Sequence, residues 1–172
     1  QISALSTTIV ESLATTQIGQ LTATQMGALT VSAIETLSTT QIEALGTTQI
    51  KGLTATQIPR FASGVVLDTA QLVALSAAAM TGFTNTQLAA FDTTHVGAFA
   101  ATQLGGLTAT GLSSLSAEQV EALSTTQLAG LTVAQMKGLS ATDIGEFSTT
   151  QVRGLSATQI SGLTTASLAA FS

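Results

Sequence analysis

The chain has 172 residues, a mass of 17.2 kDa and a net charge of −5, with 8% charged and 3% aromatic residues and no Cys, Trp or Tyr. The lack of cysteine excludes a disulfide scaffold and a thiolate metal site. Four basic residues (Lys51, Arg60, Lys137, Arg153) and no aromatic stacking platform argue against nucleic acid as a partner. A 45% hydrophobic content at this modest net charge argues against disorder.

From the first residues onward one pattern dominates. A Leu or Phe recurs every eight positions, first as Leu5, Leu13, Leu21, Leu29, Leu37, Leu45, Leu53 and Phe61, then from Leu67 through Leu75, Phe83, Phe91 and Phe99 to Phe171. The step from Phe61 to Leu67 is six residues, so the array has two registers. Five positions after each of these marks stands a second apolar residue, such as Ile18, Met26, Ile42, Leu88 or Ile160. The position after the mark is mostly Ser or Thr, and the one before it mostly Ala or Gly. The fourth position after the mark is Gln in 13 of the 21 units. The consensus is Leu–Ser/Thr–x–Thr–Gln–Ile–x–Ala/Gly.

This octad encodes a helix start. Ser or Thr followed three residues later by Gln is a capping box, in which the hydroxyl and the Gln side chain satisfy each other's backbone N–H groups. With Ser38 as N-cap, Gln41 is N3 and Ile42 is N4, and Leu37 before the cap is placed to pack on Ile42 as a hydrophobic staple. Ile42 and Leu45 then share one helical face. Glu118 and Asp143 put negative charge into first turns, where the helix dipole favours it. Isolated helices this short are unstable, because about 12–15 residues are needed for marginal helicity, so the apolar stripes must be buried by stacking. The expected fold is all-α, a solenoid of very short capped helices, one per eight-residue repeat, with a linear aliphatic core. The alternative is a β-solenoid, since Thr, Ile and Val favour strands. Against it, apolar marks five and then three apart do not share one face of a strand unless the strand bends.

Residues 1–172 read as a single repeat array. The exception is an irregular corner at 59–66, between sub-arrays 1–58 and 67–172, where Pro59 at N5 of its unit removes a helical hydrogen bond. Both termini read as cuts through a longer array or as faces that stack on another copy. No run approaches the about 20 apolar residues of a membrane span, and Gln1 opens on patterned sequence without the basic start of a signal peptide.

Catalytic, cofactor and metal sites are not expected. His95 is the single histidine and stands in the Gln slot. It could pair with Asp92 and a hydroxyl as a nucleophile system, but every octad carries hydroxyls, and a polar substitute in a first helical turn suffices. The acids are dispersed, and Glu11, Glu35, Glu43 and Glu121 share their octad position with Lys51, Lys137 and Arg153, the pattern of a solvated face. The third position after the mark is Thr at Thr8, Thr16, Thr24, Thr40, Thr48, Thr56, Thr86, Thr94, Thr102, Thr110, Thr126, Thr142, Thr150 and Thr158. Aligned, these residues would form a ladder of hydroxyls and methyls. Such a ladder suits ice or glycan binding, O-glycosylation or packing on a neighbouring solenoid. It is also compatible with no more than tolerable first-turn residues.

The octad, as in Leu37-Ser38-Thr39-Thr40-Gln41-Ile42-Glu43-Ala44-Leu45 and Leu123-Ser124-Thr125-Thr126-Gln127-Leu128-Ala129-Gly130-Leu131, resembles the arrays of large secreted or surface proteins of Gram-negative bacteria, often called adhesin-like. The resemblance spans nearly the whole chain and is one of low complexity. It implies export, a structural role and no active site. The expected function is therefore a non-catalytic rod or self-assembling extracellular filament whose main partner is itself, end to end or laterally. The alternative is an ice- or glycan-binding module. A nearly uncharged repetitive surface favours such association.

Overall fold

A helix of four to six residues has almost no interior, so its two ends must be stabilised from outside it. The computed structural model describes residues 6–62 and 64–169. The marks Leu5 and Phe171, and Ser63 of the corner, lie outside the described residues. Those residues hold nineteen α-helices, from Thr7–Ser12 to Thr165–Leu168, and no strand, so the helical reading stands and the β-solenoid does not.

Each octad is built as its residues dictate. In the Thr39–Glu43 helix the N-cap Ser38 is extended, with φ −69° and ψ 159°. Its hydroxyl accepts from Gln41 N–H at 3.2 Å, and its own N–H donates to Gln41 Oε1 at 2.7 Å. Where the N-cap is Ala14, Gly46 or Ala100, the Gln half of the box alone is made. At the other end Ala44 N–H returns to Thr40 O and Leu45 N–H to Ile42 O, both at 3.1 Å. The extended residues that follow turn the chain into the next cap.

The chain divides into two compact units, Gln1–Phe83 and Thr84–Ser172, built alike. Within each, a helix packs mainly on the third helix along the chain, and at the short step Thr47–Ile50 packs on the next α-helix, Thr69–Ala74. Ala23–Gly27 lies on Thr47–Ile50, Ala101–Leu104 on Thr125–Leu128, and Val133–Gly138 on Ala157–Gly162. Three octads, 24 residues, therefore make one turn of a three-sided solenoid. Its interior is the two apolar files. Ile18, Ile34, Ile42, Ile50, Leu72, Leu104, Leu128 and Met136 are at most 1% exposed, and the marks between them, the half-buried Leu21 apart, are buried too.

The short step after Phe61 is absorbed locally. Pro59 sits in a 3-10 helix, Ile58–Arg60, where the lost N–H falls in the first turn, and that helix packs on Val31–Glu35. Gly64 takes φ +94°, a conformation that side chains resist. Arg60 and Glu35 pair at 3.2 Å on the surface.

Small residues before the marks have a packing cause. The Cβ of an alanine at Gly130 would fall on the backbone carbonyl of Ala101 in the previous turn, and one at Gly52 on that of Ala23. At Gly97 an added Cβ meets nothing within 4 Å. Gly130→Ala should therefore destabilise the protein by about 1–3 kcal/mol. Gly97→Ala should be neutral or stabilising by up to about 1 kcal/mol. Thermal unfolding of the two variants measures the contrast, and equal midpoints would contradict this packing.

Candidate functional surface: the threonine files and the glutamine seam

All fourteen threonines of the predicted ladder are exposed. Because the solenoid closes every three octads, they do not form one ladder but are shared among three sides. In the second unit Thr102, Thr126 and Thr150 lie on helices that pack in succession, as do those of Thr86 and Thr110. Thr158 belongs to that second side, and Thr94 and Thr142 fall on the third. In the first unit the pairs are Thr16 with Thr40 and Thr24 with Thr48, by the same pairing of helices, and Thr8 and Thr56 fall on the third side. Packed helices lie about 8–10 Å apart, so neighbouring threonines of a file are spaced by that order.

The residue that joins one turn to the next is the capping glutamine. Ten of the thirteen Gln side chains in this slot are buried, from 1% exposed at Gln57 to 7% at Gln127. Gln135 is typical. Its Oε1 accepts from Thr132 N–H at 2.8 Å, and its Nε2 donates to Leu104 O and Leu107 O, both at 2.8 Å. Those carbonyls lie 31 and 28 residues earlier in the chain. Gln57, Gln119, Gln151 and Gln159 make the same pair of long-range bonds. Across the short step, Gln71 reaches Leu45 O over 26 residues instead of 28, which keeps the seam in phase. Every buried side-chain nitrogen and oxygen among the described residues has a partner.

The capping half of this role is legible in the sequence, and the inter-turn half is not, because it depends on how many octads close a turn. One signal was present. Glu would serve as well at N3, and better with the dipole, yet no octad carries Glu in this slot. A carboxylate there would place a buried charge beside backbone carbonyls and lack the donor.

The substitutes in the slot behave as their chemistry allows. Ser167 Oγ donates to Leu139 O at 2.8 Å, over the same 28 residues. Asp143 accepts from Ser140 N–H at 2.6 Å and from Ser113 Oγ at 3.0 Å. His95 Nδ1 lies 2.6 Å from Asp92 Oδ1, and its ring stacks on Phe91 with centroids 5.7 Å apart. Asp92 is the N-cap of the Thr93–Gly97 helix and accepts from His95 N–H at 2.9 Å. These contacts hold the Asp92 carboxyl below its ordinary 3.8, chiefly through the His95 backbone donor. The aspartate and histidine thus meet as the sequence allows, at the start of a helix. Among the described residues no hydroxyl bonds to that ring. Beside them a shallow cleft is lined by Phe91, Asp92, Thr93, Ser114, Ser116 and Glu118. Glu146 is pushed above its ordinary 4.5 by partial burial first, and then by Asp143 and Glu118.

Over residues 136–172 the chain is similar to a family described as the ALTTAQ repeat. This is a repeat protein. No curated protein matches the sequence. Among the described residues no helix is long and apolar enough to cross a membrane.

Two outcomes are expected. Gln135→Ala removes two buried and two part-buried hydrogen bonds and should cost about 2–4 kcal/mol, against about 1 kcal/mol for Thr132→Ala, which removes a cap hydroxyl. Denaturant titration of both variants decides, and equal costs would contradict an inter-turn role. Because its folded pKa is raised, Glu146 opposes folding at neutral pH and ceases to do so once protonated in acid. Glu146→Gln should therefore raise the melting temperature at neutral pH and lose that advantage as the pH falls through the carboxylate range.

Proposed function

We propose that the chain is a structural, non-catalytic repeat protein. It forms a rod or self-assembling filament outside the cell, at a bacterial surface. The observation that carries this reading is the uniformity of the joint between turns. The same glutamine contacts, the same apolar files and the same close approach of small residues recur from one turn to the next. A joint that depends on an eight-residue code and not on particular turns extends to any length. The low charge of the surface supports association over mutual repulsion. No cysteine is needed for stability, which suits either an oxidising or a reducing medium.

A second reading rests on the exposure of all fourteen threonines, with Thr102, Thr126 and Thr150 on successive turns. In it the chain is a binding module for ice or glycans. Electron microscopy of the protein at physiological salt separates the two readings. The structural role predicts rods or filaments with a regular axial repeat, and compact isolated particles would count against it. Thermal hysteresis or a glycan-array signal abolished by substituting Thr102, Thr126 and Thr150, with assembly intact, would favour the binding module.

A further inference from the structure

The seam between turns is interrupted inside the second unit, at Asp143. This residue stands in the glutamine slot, but its carboxylate only accepts, from Ser140 N–H and from Ser113 Oγ. A glutamine here would donate to Leu112 O and Leu115 O, by the spacing that Gln135 keeps to Leu104 O and Leu107 O. Among the described residues no side chain donates to either carbonyl. The next two octads keep their amide bonds, Gln151 to Val120 O and Leu123 O, Gln159 to Leu128 O and Leu131 O.

The same octad breaks a second rule. Every other residue before a mark in this unit is Ala, Gly or Ser, and here it is Glu146. Turns approach closely at that slot: an added Cβ would fall on the Ala101 carbonyl at Gly130, and 2.6 Å from the Ala109 Cβ at Gly138. The counterpart of Ala101 and Ala109 for Glu146 is Ala117, which is exposed where those two are half-buried. Of the third-neighbour helix pairs in the unit, Ala117–Glu121 with Ala141–Gly145 is the most loosely packed.

Negative charge gathers at this loose joint. Glu146 is half-buried at the C-cap of Ala141–Gly145, and Asp143 lies on that helix. The facing helix Ala117–Glu121 brings Glu118 and Glu121. Ala109–Ser113, which Asp143 touches, and Thr165–Leu168, packed on Ala141–Gly145, carry no charged group. Lys137 and Arg153 sit on helices of the other two sides, and among the described residues neither pairs with these carboxylates.

We propose that this joint is a hinge closed by acid: it opens while Glu146, Asp143 and Glu118 are all charged, and it closes when Glu146 is neutralised. Partial burial, then Asp143 and Glu118, raise the Glu146 pKa. Its charge therefore opposes closure above that pKa and ceases to do so as the pH falls through the carboxylate range. Asp92 and Glu118, held below their ordinary values, lose their own contacts only in stronger acid, which bounds the window.

Backbone amide exchange on the 172-residue chain, corrected for the intrinsic rate at each pH, reads the opening. At neutral pH the Ile144 N–H should be about ten-fold less protected than those of Met136 and Val152, its counterparts one octad before and after. The difference should shrink in mild acid. Glu146→Ala should abolish it at neutral pH together with its pH dependence, and Asp143→Gln, which restores the donor, should reduce it at every pH. Glu121→Gln, exposed on the same side, should leave it unchanged. Equal protection of the three amides, a difference indifferent to pH, or one that survives Glu146→Ala would overturn the hinge. Protection that falls steadily from Met136 through Ile144 to Val152 would overturn it too, since that is progressive fraying and not a local opening.

Discussion

Very short helices expose the one constraint on which this structure depends. An α-helix leaves four N–H groups and four carbonyls without intrahelical partners, and in a helix of four to six residues these are nearly all the groups it has. Burying such an element is prohibitive unless every end is satisfied. The octad meets the demand with one side chain. The glutamine oxygen takes an N–H at the start of its own helix, and the glutamine nitrogen serves carbonyls at the end of a helix one turn earlier. The aliphatic files can then be buried without leaving polar groups behind.

Other features follow from that joint. The glutamine is fixed locally by its cap, so its amide points at a set distance into the previous turn, and the turns must approach to that distance. At Gly52 and Gly130 the backbones of successive turns come close, and a methyl group at either would collide with a carbonyl. The outer residues are free of these demands and carry threonines and the sparse charges. The fold is thus specified by a local code repeated many times, and its tolerance is visible at 58–67. There the loss of two residues is taken up by a 3-10 turn and Gly64 without breaking the seam.

Much of this was legible in the sequence. Ser38 and Gln41 announce their cap by spacing alone, and Leu37, Ile42 and Leu45 announce a buried face. The shared exposure of the threonines was legible as well, since they stand opposite the apolar positions. The number of sides was not. Nothing within an octad states that three of them close a turn, because closure is set by the angle between successive helices, a property of the extended residues at each corner. Without it the second role of glutamine stayed hidden, and one threonine ladder was expected where three files exist. The meeting of His95 and Asp92 follows from their spacing, three positions apart on one turn.

The central claim is that glutamine amides hold successive turns together. Hydrogen exchange at the side-chain amides, followed by NMR, tests it most directly, because exchange requires the donor to be released. The Nε2 protons of Gln57, Gln119, Gln135, Gln151 and Gln159 should exchange slowly, in step with the backbone amides of the core. Uniformly fast exchange across all five would contradict the account.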